Sequence, residues 1–152
     1  MRISVDTHIA APVEMVFALC TDFKNAPGRI KGIKKIELLN DEPVGVGLRF
    51  RETRIMFGRE ASEEMEITSF EPNRSYTLGC NSCGCVYTSV LRFQPDNGGT
   101  KLTMDFDAKP VTFMAKLMTP LGWLMQGTMR KCVQQDLDDI KAYAEEPPAG
   151  AV

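Results

Sequence analysis

An α+β fold follows from three features of this sequence. The expected architecture is a curved seven-stranded antiparallel sheet, with one or two short helices after strand one, wrapped around a long C-terminal helix. First, alternating apolar and polar segments joined by short turns fill most of residues 34–109, the pattern of consecutive hairpins. Second, two of those segments, Leu48 to Met56 and Arg59 to Phe70, agree on a single pairing register. Third, Leu121, Met125, Met129, Val133, Leu137 and Ile140 recur at spacings of three and four, a helical stripe wide enough to face a sheet.

The chain starts with Ile3, Val5, Thr7 and Ile9 alternating with Arg2, Ser4, Asp6 and His8, a half-buried strand. His8, the sole histidine, falls on the polar side and reads as a surface residue, because a general base must reach its substrate. Pro12 opens a helix at a position where its missing N–H costs nothing. Val13, Val16, Phe17 and Cys20 form that helix's apolar face. Asp22 to Lys35, with Pro27-Gly28 and Gly32, reads as a turn or helical fragment entering a strand near Lys34 to Leu39. Asn40 to Gly47 is a loop rich in turn formers.

Phe57-Gly58 suggests a tight hairpin. A two-residue loop there pairs Leu48 with Ile67 and Phe50 with Met65 on one face, and Arg49 with Glu66 and Arg51 with Glu64 on the other. Each such pair contributes about 0.2–1 kcal/mol, and a slip of one residue would destroy both agreements. The same register sets Glu52 opposite Glu63 on the apolar face, with Arg54 diagonal to Glu63. Unpaired buried charge is costly, so these three residues need a reason. An ion-pair cluster near the open end of the sheet is one reading. A polar patch that orients a ligand, or an acid/base pair with one raised pKa, is the other.

Tyr76, Leu78 and Cys80 share one side of the next strand, and Cys85, Tyr87, Ser89, Leu91 and Phe93 alternate in the one after it. A loop at Ser82-Cys83 would put Cys80 across from Cys85 and Leu78 across from Tyr87. The cluster of Cys80, Cys83 and Cys85 lacks a fourth metal ligand, so packed, reduced thiols are expected and no metal. Asn97-Gly98 is a strong hairpin signal that matches Phe93 with Leu102, Leu91 with Met104 and Ser89 with Phe106. Thr100 to Lys109 is then the last strand.

Pro110 hands the chain to the apolar run Val111 to Ala144, with a kink or break expected at Pro120. Lys116, Pro120, Gly122 and Gly127 speak against a membrane span in this run. The segment from Glu145 onward, residues 145–152, reads as a disordered tail, which leaves residues 1–144 as a single domain.

With 152 residues the chain can bury roughly two-thirds of its unfolded surface without staples. A net charge of -2 argues against a nucleic-acid footprint. Met1 to Asp6 carries no apolar signal core, so a cytoplasmic location is the expectation. Five cysteines, an odd number, then fit free thiols better than a disulfide framework.

Ile9-Ala10-Ala11-Pro12-Val13-Glu14-Met15-Val16-Phe17 resembles the entry to the first helix of START-like (SRPBCC) helix-grip proteins. Val44-Gly45-Val46-Gly47, Phe70-Glu71-Pro72-Asn73 and Phe93-Gln94-Pro95-Asp96-Asn97-Gly98-Gly99-Thr100 resemble further landmarks of the polyketide cyclase/dehydrase and lipid-transport branch. The resemblance spans about Arg2 to Ala144. It implies a deep cavity between the sheet and the final helix that binds lipids, polyketides, sterols or quinones. Some members are cyclases or dehydratases and many only bind or carry, with no shared catalytic motif. Many relatives have a Trp after the first helix, where this chain has Ala26-Pro27-Gly28-Arg29.

The leading expectation is a noncatalytic binder or carrier of a small hydrophobic ligand, without cofactor, acting as a monomer or homodimer. Its strand lining is Phe50, Glu52, Arg54, Glu63, Met65, Tyr76, Leu78, Tyr87, Ser89, Met104 and Phe106. Its helix lining is Leu117, Leu121, Leu124, Met125 and Thr128. The alternative is a cyclase or dehydratase in which Glu52 or Glu63 is the acid or base and Arg54 holds an enolate or carboxylate. A third reading is a protein-interaction module that displays Arg29 to Lys35 or Phe113 to Met125.

Overall fold

The computed structural model describes residues 2–56, 58–82 and 84–146. Seven antiparallel strands form one sheet in the order β1-β7-β6-β5-β4-β3-β2. They are β1 Arg2–Ile9, β2 Ile33–Leu38, β3 Arg49–Met56, β4 Arg59–Glu71, β5 Ser75–Ser82, β6 Cys85–Asp96 and β7 Gly99–Pro110. The first two strands therefore lie at opposite edges. Helix α1 (Val13–Thr21) and a 3-10 segment (Phe23–Gly28) carry the chain from one edge to the other.

The β3–β4 register is the expected one: Phe50 faces Met65, Glu52 faces Glu63, and Arg51 faces Glu64. Arg51 also donates to Glu64 at 2.8 Å on the outer face. At the β6–β7 turn, Asn97 and Gly98 both take positive φ, +48° and +80°, the geometry that matches the twist of the flanking strands. Phe93 accordingly faces Leu102, and Ser89 faces Phe106.

The β5–β6 hairpin differs from expectation. Ser82 pairs with Cys85, so Cys80 faces Tyr87 and Leu78 faces Ser89. The turn sits one residue later because Gly84 supplies the positive φ of +75°, where Ser82 would be strained. Partners shift by two, and every side chain keeps its face. Cys83, like Phe57 of the β3–β4 turn, lies outside the described residues.

One end of the sheet is filled with side chains. Phe17 of α1 sits edge-on to Phe93, Phe70 and Tyr76 at centroid distances of 5.1, 5.5 and 6.0 Å. Phe23 stacks on Phe50 at 4.7 Å. Ile3, Ile9, Ile67, Leu102, Leu137 and Ile140 complete this core, each contributing about 1.5–3 kcal/mol by leaving water.

The terminal helical region is not one helix broken once. It forms α2 (Phe113–Leu117), α3 (Thr119–Leu124) and α4 (Gln126–Glu145). Pro120 in the first turn of α3 cannot donate to the preceding turn and ends α2. Gly122 and Gly127 flank the second interruption at Met125, and each costs a helix about 1 kcal/mol relative to alanine. Only α4 buries a face, through Val133, Leu137, Ile140 and Ala144, and it lies chiefly along β1. Its end extends one residue past the expected boundary. Glu145 is helical and accepts hydrogen bonds from the Ala10 amide at 2.7 Å and the Lys141 ammonium at 2.8 Å. Residues 147–152 of the expected tail lie outside the described residues.

Candidate functional site on the inner sheet face

The inner face has two halves. Near α1 and the C-terminal part of α4 it is packed, and there Phe50 and Tyr76, both expected as lining, are buried core residues. Toward the β5–β6 tip it is open. Met65, Leu78, Tyr87, Ser89, Met104 and Phe106 share this face and are only half-buried, with Tyr87 and Phe106 stacked at 5.8 Å.

The helix side of the expected lining is corrected. Leu117, Leu121, Leu124 and Thr128 are exposed, Leu124 at 83 %, and Met125 is half-buried. A single continuous helix would have carried these residues onto the sheet in register with Val133 and Leu137. The breaks at Met118 and Met125 remove that phase relation, and α2 and α3 bury no residue.

A charged cluster stands at the junction of the two halves. Arg54 donates to Glu52 at 3.2 Å and to Asp136 of α4 at 3.0 Å. All three are largely enclosed, with side-chain exposures of 17 %, 10 % and 14 %. Burial works against the Arg54 charge, yet the two carboxylates more than offset it and hold its pKa above the ordinary arginine value. Burial pushes the Asp136 carboxyl up, with Arg54 opposing and Glu52 and Asp139 adding to the rise. The guanidinium thus bridges sheet and helix and is engaged on both sides.

Glu63, although directly across from Glu52, turns to other partners. Its carboxylate accepts from Ser82 Oγ at 3.1 Å and from Cys80 Sγ at 3.6 Å. The two glutamates therefore engage different partners. Glu63 remains half-exposed on the open half of the face.

Two acidic residues of α4 were not among the expected site residues, and one of them, Asp139, was expected on the polar side of the helix but is buried. Asp136 completes the Arg54 cluster, and Asp139 accepts from the Lys31 amide at 2.9 Å and from Gln135 at 2.8 Å. A signal existed for Asp136: it stands at the spacing of Val133, Leu137 and Ile140, inside the apolar stripe. His8 lies at the surface, hydrogen-bonded to the Asp96 carbonyl at 3.0 Å. Among the described residues, no group of histidine, cysteine or acidic side chains is placed to hold a metal ion. Cys20, Cys85 and Cys132 are free thiols.

A depression of about 510 Å³ lies across the sheet, lined among others by Arg49, Glu64, Glu66, Thr68 and Thr88 of the outer face. Glu64 there is already paired with Arg49 and Arg51, so the candidate site remains the inner face.

Compared with known proteins, residues 1–145 match the family model for polyketide cyclase/dehydrase and lipid transport. The chain belongs to this family. Its fold is the START-like helix grip, shared with solved structures of low sequence identity. A START superfamily protein from Mycobacterium smegmatis aligns with a TM-score of 0.73 and 15 % identity, over 95 % of this chain and 97 % of that one. Major latex-like protein 151 from Panax ginseng aligns at 0.76 and 14 %, over 97 % and 98 %. The di-domain ARO/CYC StfQ of the steffimycin biosynthetic pathway aligns at 0.77 and 16 %, over 98 % of this chain and 51 % of that one. No curated protein matches this family member by sequence.

Proposed function

We propose that this protein holds a small, largely apolar molecule against the open half of its inner sheet face. One observation carries the reading: Met65, Leu78, Tyr87, Met104 and Phe106 share that face yet stay half-buried, and no side chain of α2 or α3 is buried against them. Leaving such side chains half in water forgoes roughly 1 kcal/mol each, and a ligand laid over them would recover it. Glu63, held by Ser82 and Cys80, would accept a hydrogen bond from a ligand hydroxyl. Arg54 is occupied by Glu52 and Asp136 and would shape the end of the cleft rather than grip an anion.

The test is native mass spectrometry of the freshly purified protein. We expect one copurified apolar molecule, displaced in Ser89→Phe, whose ring would fill the space between Leu78 and Phe106. A wild-type chain that purifies bare and takes up neither a fatty acid, a sterol nor a polycyclic ketone would refute the proposal.

A second reading rests on the position of Glu63. As a base it would remove the proton next to a ketone; the resulting enolate would attack a second carbonyl of the same molecule; the proton would return to the new alkoxide, closing a ring without other reactants. In that case Glu63→Gln would bind a polyketide-like substrate and fail to cyclise it. Unchanged turnover in Glu63→Gln would remove this assignment.

A further inference from the structure

The large apolar side chains of α2 and α3 face solvent together: Phe113 at 78 %, Trp123 at 68 % and Leu124 at 83 % exposure, with Met114, Leu117 and Leu121 beside them. Soluble chains rarely leave so contiguous an apolar surface uncovered without a partner. Along this stretch of the chain the charges are of one sign. Between Asp107 and Asp136 the chain carries Lys109, Lys116, Arg130 and Lys131 and no acidic residue. All four cations are exposed. Lys109 lies 3.9 Å from Asp107, and Arg130 donates to the Ser4 carbonyl at 3.0 Å, which leaves its charge unneutralised.

We propose that α2 and α3 dock this protein on the surface of a membrane that carries anionic lipid. The apolar side chains would enter the headgroup boundary, where the amphipathic indole of Trp123 is favoured. The cations would lie level with the anionic headgroups. Charge decides between this occupant and a second copy of the chain, since a twofold contact would set the same four cations against their own images. No helix among the described residues is long and apolar enough to cross a membrane, so the contact is with the surface. The inference goes beyond the proposed ligand binding and does not require the cleft to be occupied.

Trp123 is the only tryptophan, so its emission reports the docking directly. Vesicles of phosphatidylcholine with and without phosphatidylserine would be titrated into the full chain and sedimented. The expected result is a blue shift and cosedimentation with the phosphatidylserine vesicles that weaken as salt is raised. Lys116→Gln should weaken binding about fivefold, the effect of one cation near an anionic surface. Leu121→Ser with Leu124→Ser should weaken it tenfold or more, because both side chains lose their burial. Both positions are exposed, so thermal stability should not change, and Ser89→Phe, which fills the cleft, should dock like wild type. Unchanged Trp123 emission at every vesicle composition would overturn the proposal. Loss of docking in Ser89→Phe would overturn it in favour of lipid uptake, and a dimer that buries Trp123 without vesicles would overturn it in favour of self-association.

Discussion

Replacing Arg54 with methionine removes the one cation that two enclosed carboxylates share. Arg54 stands 3.2 Å from Glu52 and 3.0 Å from Asp136. At the effective dielectric of a protein interior near the surface, each pair interacts by roughly 5 kcal/mol, most of it offset by the cost of dehydrating the guanidinium. The substitution removes the attraction and keeps two buried acids, so we expect a loss of about 3–5 kcal/mol at neutral pH, measured by urea unfolding.

The pH dependence follows from Asp136. Its carboxyl is already pushed above the ordinary 3.8 by burial, and Arg54 opposes that rise. Without Arg54 the folded-state pKa climbs further, so the folded chain binds this proton more tightly than the unfolded chain does. The penalty is then complete above the raised folded pKa and is relieved as pH falls toward the unfolded value. Arg54→Met should therefore cost less at pH 5 than at pH 7.5. The triple variant Arg54→Met, Glu52→Leu, Asp136→Leu removes the orphaned charges as well and should return to within about 1 kcal/mol of wild type or exceed it. A single variant that loses less than 1 kcal/mol, or loses the same at both pH values, would refute the reasoning.

Other outcomes follow from single contacts. A Cβ at Gly99 would stand 2.3 Å from the Ile9 carbonyl oxygen, so Gly99→Ala must push β1 from β7 and should cost about 1–3 kcal/mol in urea. Burial pushes the Cys20 thiol from 9.0 up to about 12, with Arg29 pulling the other way. The unfolded chain thus loses this proton first as pH rises. Stability should fall by up to about 1.4 kcal/mol per pH unit from pH 9 to 12, and Cys20→Ala should flatten that slope. Leu124→Ser should change stability by no more than about 0.5 kcal/mol. A loss of about 2–5 kcal/mol, as for a core leucine, would mean that α3 packs on the sheet after all.

The hairpins were legible because their evidence is local and redundant. For β3–β4, charge pairing on the outer face and apolar pairing on the inner face independently select the same register, and Asn97-Gly98 specifies its own turn. The β5–β6 turn was misplaced by one residue because Ser82, Cys83 and Gly84 offer two candidate loops; only Gly84's backbone conformation separates them. On the inner face, Glu52 and Glu63 were recognised as an anomaly from register alone. Their different fates were not legible, because Asp136 and Ser82 come from distant parts of the chain.

What the sequence alone determined is the α+β class, the strand order along the chain, the faces of the residues it paired in β3, β4 and β5 to β7, and the family. Each depends on periodicity or on contacts between chain neighbours, which a linear pattern carries. What only the tertiary structure decided is where α4 begins, that α2 and α3 leave their apolar residues in water, and which acid pairs with Arg54. A helical stripe records which residues would face one way if the helix were unbroken. Whether Pro120, Gly122 and Gly127 interrupt it depends on whether packing against the sheet can offset their cost, and between Phe113 and Met125 it does not.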